Sequence, residues 1–109
     1  MKEIRILTGV RAVTAAGTPE RINEEANKLR SQVISIVIRA NTGNAGLIYV
    51  GFDPASATAG AAAYALSPGE TSPPIDVSQF ADAYVDLQNV WLDAETSGDG
   101  VSFIAIEVI

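Results

Sequence analysis

Apolar positions along this chain fall into short β-branched stretches, some alternating with polar residues and some unbroken. The strongest spans residues 33–53, where VISIVIRA and LIYVGFD flank the six-residue segment NTGNAG. Two β-favouring runs around an Asn/Gly-rich turn predict a β-hairpin. In the first run a period of two puts Ile34, Ile36 and Ile38 on one face and Val33, Ser35 and Val37 on the other, so both faces are largely apolar. Such a strand needs an opposing sheet on one side and a helix, a loop or another subunit on the other. The end of the chain repeats this character. Residues 90–94 read as a strand, ETSGDG as a loop with an Asp-Gly signal, and residues 101–109 as the closing strand of a second hairpin. There Ser102, Ile104, Ile106 and Val108 share one face, while Val101, Phe103, Ala105 and Ile109 fill the other, interrupted by Glu107.

The intervening pattern is that of short strands and turns. Ile4 and Ile6, then Val10, Ala12 and Thr14, predict one or two opening strands with Gly9 as a break between them. Ala16-Gly17-Thr18-Pro19 predicts a turn, because Gly permits φ > 0 and Pro cannot join a central ladder. Residues 20–22 resume as a brief strand. Residues 23–31 (NEEANKLRS) read either as one or two helical turns, with Glu24 and Lys28 at i,i+4, or as a solvated loop. Pro54 and Gly60 argue against a helix through the alanine-rich stretch, which predicts a loop over 53–60 and a strand over 62–66. Ser67-Pro68-Gly69-Glu70 fits a type II turn, with Pro at i+1 and Gly at i+2, and Pro73 and Pro74 hold the chain extended into residues 75–77. Over 78–88, Phe80, Ala83, Tyr84 and Leu87 form a helical stripe with Ser78 or Asp76 as N-cap. A short helix here would supply the second cover; the rival reading is an extended arm with Tyr84 and Val85 in a strand.

Composition narrows the class. A chain of 109 residues predicts one domain, 1–109, with a single core and no linker. Of its 52 apolar residues 17 are alanine, and the remaining 35 are concentrated in Val/Ile runs that suit pleated sheets. Nine glycines and five prolines punctuate them as in a many-stranded β fold. Cysteine and histidine are absent, which removes disulfides, thiolate metal ligands, zinc sites of the usual kind, Ser/His/Asp and Cys/His triads and the commonest general base. The formal charge of −6 disfavours non-specific binding to nucleic acid or anionic membrane. Because no apolar run approaches the roughly 18 residues that span a bilayer, and charges interrupt Met-Lys-Glu-Ile-Arg, the expectation is a protein of a cytoplasm without a signal peptide.

Four constellations could carry chemistry, and each has a structural reading beside it. Asp93, Glu95, Ser97 and Gly98 match positions 1, 3, 5 and 6 of a calcium loop, but Ile104 stands at position 12 and the flanks read as strands, so a hairpin turn is favoured. Gly43, Gly46 and Gly51 suggest a phosphate cradle only weakly, since Leu-Ile-Tyr-Val follows Gly46 where a P-loop needs Lys-Ser/Thr and a helix. A carboxylate pair for glycoside hydrolysis would have to come from Asp53, Asp76, Asp86, Asp93 or Glu107, acids that scatter as solvated surface residues do. Trp91, Tyr49, Tyr64 and Tyr84 could stack sugars, although packing in a core or interface accounts for so few aromatics. No catalytic, cofactor-binding or metal-ligating residue is therefore assigned, and no cofactor is expected.

Gly17-Thr18-Pro19, the series from Ser35 through Arg39-Ala40-Asn41-Thr42-Gly43 to Asn44, Ile48-Tyr49-Val50-Gly51, Leu66-Ser67-Pro68-Gly69-Glu70, Trp91-Leu92-Asp93-Ala94 and Gly98-Asp99-Gly100-Val101-Ser102-Phe103 together resemble small virion proteins of tailed bacteriophages. The likeness covers nearly all of residues 16–106 and lies in turn and strand signatures, which specify a fold better than a role. It implies an all-β, jelly-roll-like antiparallel β-sandwich. For an acidic chain of this size it implies a capsid cement, or head decoration, protein made in the host cytoplasm and placed on the outer surface of the phage head. Such proteins are homo-oligomers, often trimers, that bridge major capsid protein subunits after expansion against the pressure of packaged DNA. Two-sided apolar strands in a small domain independently predict an oligomer. The alternative is a head-fibre or tail-component module that binds a host surface glycan; a carboxylate-pair enzyme ranks last.

Overall fold

The computed structural model describes residues 4–22, 32–76, 85 and 89–108. Eight strands form in order: β1 (Ile4–Ala12), β2 (Glu20–Arg21), β3 (Gln32–Ala40), β4 (Ile48–Gly51), β5 (Tyr64–Leu66), β6 (Ile75–Asp76), β7 (Trp91–Ala94) and β8 (Gly100–Val108). They build two four-stranded antiparallel sheets, a long one in the order β1-β8-β3-β6 and a short one in the order β2-β7-β4-β5. This is the strand order of a jelly roll, in which successive strands, β4 and β5 excepted, alternate between sheets. The expected all-β sandwich is thus the fold of the chain.

Neither expected hairpin forms. β3 pairs with β8 and β6, β4 pairs with β7 and β5, and the segment between β3 and β4 crosses from one sheet to the other. The segment between β7 and β8 crosses in the same way. Asn/Gly-rich loops of about six residues permit a sharp reversal but do not dictate that the flanking strands pair, as a two-residue type I′ turn would. Arching across the sandwich lets each strand keep one face in the shared core. That core is built from Val33, Ile36, Ile38, Ala40, Val101, Phe103 and Ala105 of the long sheet against Ile48, Val50, Leu66, Leu92 and Ala94 of the short one.

Local chemistry adjusts the simple alternation. Between Val33 and Ser35 the register of β3 against β8 shifts by a β-bulge, so Val33 joins Ile36 and Ile38 in the core while Ile34 is only half-buried. The period-two reading had grouped Ile34 with them; one extra residue reverses the parity. The opening strand is a single nine-residue element that runs through Gly9, whose missing Cβ makes room for the Phe103 ring opposite. The turn at Ser67–Glu70 forms as expected, with Gly69 at φ 82° and the Glu70 amide donating to the Ser67 carbonyl at 2.8 Å. Beyond it the Ser72 hydroxyl accepts from the Ile38 amide at 3.1 Å, completing a ladder where a Pro-rich edge segment pairs only in part. The short segment 23–31 and most of 78–88, with its alternative of a helix or an arm, lie outside the described residues; Val85 itself makes an antiparallel bridge to Val33.

Candidate functional site

One end of the sandwich gathers the loops that sequence reasoning singled out, and its polar groups bind one another. Asp99, almost fully buried, accepts from the Ala45 amide at 3.0–3.1 Å and from the Gly46 amide at 2.9 Å. Asn44 clasps Gly100 through both amide atoms, accepting from its N–H at 2.9 Å and donating to its carbonyl at 2.8 Å. These bonds fasten the β3–β4 crossing to the β7–β8 crossing. The loop after β1 joins them: the Val13 amide donates to the Asp99 carbonyl at 2.8 Å, and the Gly98 amide to the Val13 carbonyl at 2.8 Å.

The calcium-like series sits here, and its oxygens are committed to backbone donors. Asp93 accepts from the Gly17 and Ala94 amides at 2.9 and 2.8 Å, Glu95 from the Leu47 amide at 2.8 Å, and Ser97 from the Ala16 amide at 2.9 Å. That is the chemistry of a braced turn. Among the described residues, no group of three or more Asp, Glu, His or Cys side chains is arranged to hold a metal. Tyr49, Asp93, Glu95, Gly17 and Thr58 line an open depression of about 620 Å³ beside this end. Burial, then the charge of Glu95 and its hydrogen bond with the phenol, and lastly the charge of Asp93 raise the Tyr49 hydroxyl above its ordinary pKa, so it stays protonated and works as a donor.

The remaining candidates are dispersed. Asp53 accepts from the Ser56 amide at 2.8 Å in a surface turn. Asp76 stands on the edge strand β6, Asp86 lies outside the described residues, and Glu107 is buried near the far end of β8 against Arg5. Asp93 therefore stands on β7 of the short sheet and Glu107 on β8 of the long one, and the two share no site. The aromatics make no common platform: Arg21 stacks over Trp91 at 4.8 Å, Tyr49 is buried, and Tyr64 packs against the core from the other face of the sheet, with Tyr84 outside the described residues. Gly51, placed above with the phosphate-like glycines, is needed for a close approach by the β4–β5 loop, since a Cβ would lie 2.6 Å from the Ala57 nitrogen.

The surface that stands out is a sheet face. Alternation along β1 turns Ile4, Ile6 and Val10 outward, with exposures of 65, 66 and 78%. Register places Ile6 beside Ile106 and Thr8 beside Ile104, which is itself 54% exposed, and Ile104 beside Val37 of β3. Arg39 and Asp76 are the charged residues at outward positions of this sheet among those described. The alternation of Ile4, Ile6 and Val10 was legible in the sequence. Their alignment with Ile104 on one uncovered face was not, because it depends on which strand lies beside β1. No family model, curated protein or solved structure matches the chain.

Proposed function

We propose that this chain is a structural virion protein: a capsid cement, or decoration, protein that assembles as a homo-oligomer on the outside of an expanded phage head and bridges major capsid protein subunits. The observation that carries this reading is the uncovered apolar face of the long sheet. Three outward β-branched residues on one strand and a fourth on the next form a contiguous patch, whereas scattered single apolar residues would call for no explanation. The polar end of the molecule supports an architectural role as well, since its carboxylates brace loops. The jelly roll supports the reading at the level of fold, and the turn signatures at the level of resemblance. Mechanism is then avidity, with several weak footprints joined through one oligomer.

The alternative, a head-fibre or tail module that binds a glycan, has less behind it because Arg21 occupies a face of Trp91 and Tyr49 is buried. The test is co-sedimentation of the purified protein with stripped, expanded heads of the phage that encodes it. Saturable uptake, with heads made more resistant to heat, is the expected result. Absence of uptake on expanded heads overturns the cement role, and selective retention on a glycan array would move the reading to the alternative.

A further inference from the structure

Asp99-Gly100 is the only Asp-Gly step in the chain, and Asn-Gly does not occur. Such a step is chemically labile wherever it is free, because a glycine nitrogen has no Cβ beside it to hinder attack on the preceding carboxyl. Neither residue can be spared here. A Cβ on Gly100 would lie 2.5 Å from the Arg11 carbonyl oxygen and 2.9 Å from the Ala12 Cα, both backbone of β1, so the position excludes a side chain. Asp99 in turn supplies the buried carboxylate that accepts from the Ala45 and Gly46 amides. Packing thus sets a reactive pair where three loops meet.

The fold also holds the reacting groups apart. Both polar atoms of the peptide unit that joins the two residues are tied down: the Asp99 carbonyl accepts from the Val13 amide at 2.8 Å, and the Gly100 N–H donates to Asn44 Oδ1 at 2.9 Å. Asn44 Nδ2 donates to the Gly100 carbonyl at 2.8 Å, so one side chain fixes the nitrogen and the unit beyond it. We infer that Asp99-Gly100 is a latent isoaspartate site and that Asn44 keeps it closed. When the clasp opens and the carboxyl leaves the Ala45 and Gly46 amides, the Gly100 nitrogen attacks Asp99 Cγ. A C–N bond forms, and one carboxyl oxygen departs as water with the carboxyl proton and the amide proton. Water then opens the five-membered imide. Cleavage between the nitrogen and Cγ restores aspartate, whereas cleavage between the nitrogen and the main-chain carbonyl carbon leaves the chain running through Cγ, as isoaspartate. No oxidant or cofactor enters. The product carries an extra methylene in its main chain and a displaced carboxylate, which unfastens the β7–β8 crossing from the β3–β4 crossing.

The test compares the parent protein and an Asn44→Ala variant, folded by circular dichroism, with a synthetic peptide of residues 96–104, all incubated in mildly acidic buffer well below melting. Isoaspartate is read by enzymatic methyl transfer and assigned to Asp99 by peptide fragmentation. The peptide is expected to convert fastest and the parent slowest, with Asn44→Ala faster than the parent by about tenfold, the scale of one lost buried hydrogen bond. Val33→Ala, which opens a cavity at the other end of β3 and leaves the clasp intact, is expected to keep the parent's rate. Asn44→Ala at the parent's rate overturns the inference, as does Val33→Ala at the rate of Asn44→Ala, which would route the reaction through global unfolding. A parent as fast as the peptide also overturns it, and that comparison stands even where Asn44→Ala does not fold. The isoaspartyl form, separated by ion exchange, is expected to melt below the parent; equal melting overturns the unfastening.

Discussion

The outer faces of the two sheets solve the same problem in opposite ways. On the short sheet, the loop between β4 and β5 folds back over Gly51, burying Ala57 completely and holding itself with Ser56 and Thr58 hydrogen bonds. On the long sheet nothing described covers Ile4, Ile6, Val10 or Ile104. One face has been provided with its own cover and the other left open. The difference teaches that two-sided apolarity in a strand is an ambiguous signal, because a chain can cover the second side itself or leave it to another molecule.

The sealed face should be the more fragile under substitution. Replacing Gly51 by Ala puts a methyl 2.6 Å from the Ala57 nitrogen and 2.7 Å from the Ser56 carbonyl carbon, both backbone atoms that cannot swing aside. The loop must lift, and the expected cost is about 1–3 kcal/mol, read as a lower urea midpoint at unchanged m-value. A midpoint equal to that of the parent protein would show that the loop does not seal β4.

The open sheet offers a gentler counterpart at Gly9. A methyl there meets the tip of the Phe103 ring at 2.5–2.8 Å, and a ring can tilt where a backbone cannot. Gly9→Ala is expected to cost about 1 kcal/mol through an off-rotamer Phe103, with the near-ultraviolet spectrum reporting the displaced ring. A loss as large as that of Gly51→Ala would mean that β1 is as tightly seated as the sealed side.

At the edge where the two sheets meet, Arg11 of β1 binds Glu20 of β2 at 2.7 Å. Burial alone would raise the Glu20 carboxyl. The hydrogen bond from Arg11, those from the Thr14 and Ala15 amides and the Arg11 charge outweigh it and hold the carboxyl below its ordinary value. A carboxylate depressed in the folded state stabilises above its unfolded pKa, about 4.3, and that contribution is lost as the pH falls toward the folded value. Glu20→Gln should therefore lower stability at pH 7 by about 0.5–1 kcal/mol and flatten the decline below pH 5, as followed by urea titrations across that range. An unchanged acid limb would assign the decline to other carboxylates.

How much of this was legible beforehand differs between fold and site for physical reasons. Strand character is local, so the Val/Ile runs, the Gly69 turn and the loop at 95–100 could be read directly from residue types, although not that this loop crosses between sheets. Pairing is not local. Whether NTGNAG closed a hairpin or arched between sheets depended on Asn44 and Asp99 finding Gly100, Ala45 and Gly46, partners more than fifty residues apart in the chain. Of the open face only the strand was legible: Ile4, Ile6 and Val10 alternate as strand residues do, but that their side lies uncovered with Ile104 beside it follows from the β1–β8 register and the burial of the other side. The expected sandwich needed no knowledge of partners, whereas the two hairpins did.

The smallest effect on the folded subunit, and the one that separates the faces most sharply, concerns Ile6. Its side chain is two-thirds exposed, so Ile6→Lys removes little packing within a subunit and should change stability by no more than about 0.5 kcal/mol in dilute solution. If copies associate through the open face, however, the parent protein is stabilised by mass action, and its melting temperature rises with concentration. The lysine places a charge on that face, where burial against a neighbour would be costly, so the variant should melt at one temperature across the same dilution series. Parent and variant would then coincide at the lowest concentrations and diverge upward. A parent protein that also melts independently of concentration would mean that the long sheet stays open in solution, and that its cover has to come from the shell rather than from another copy.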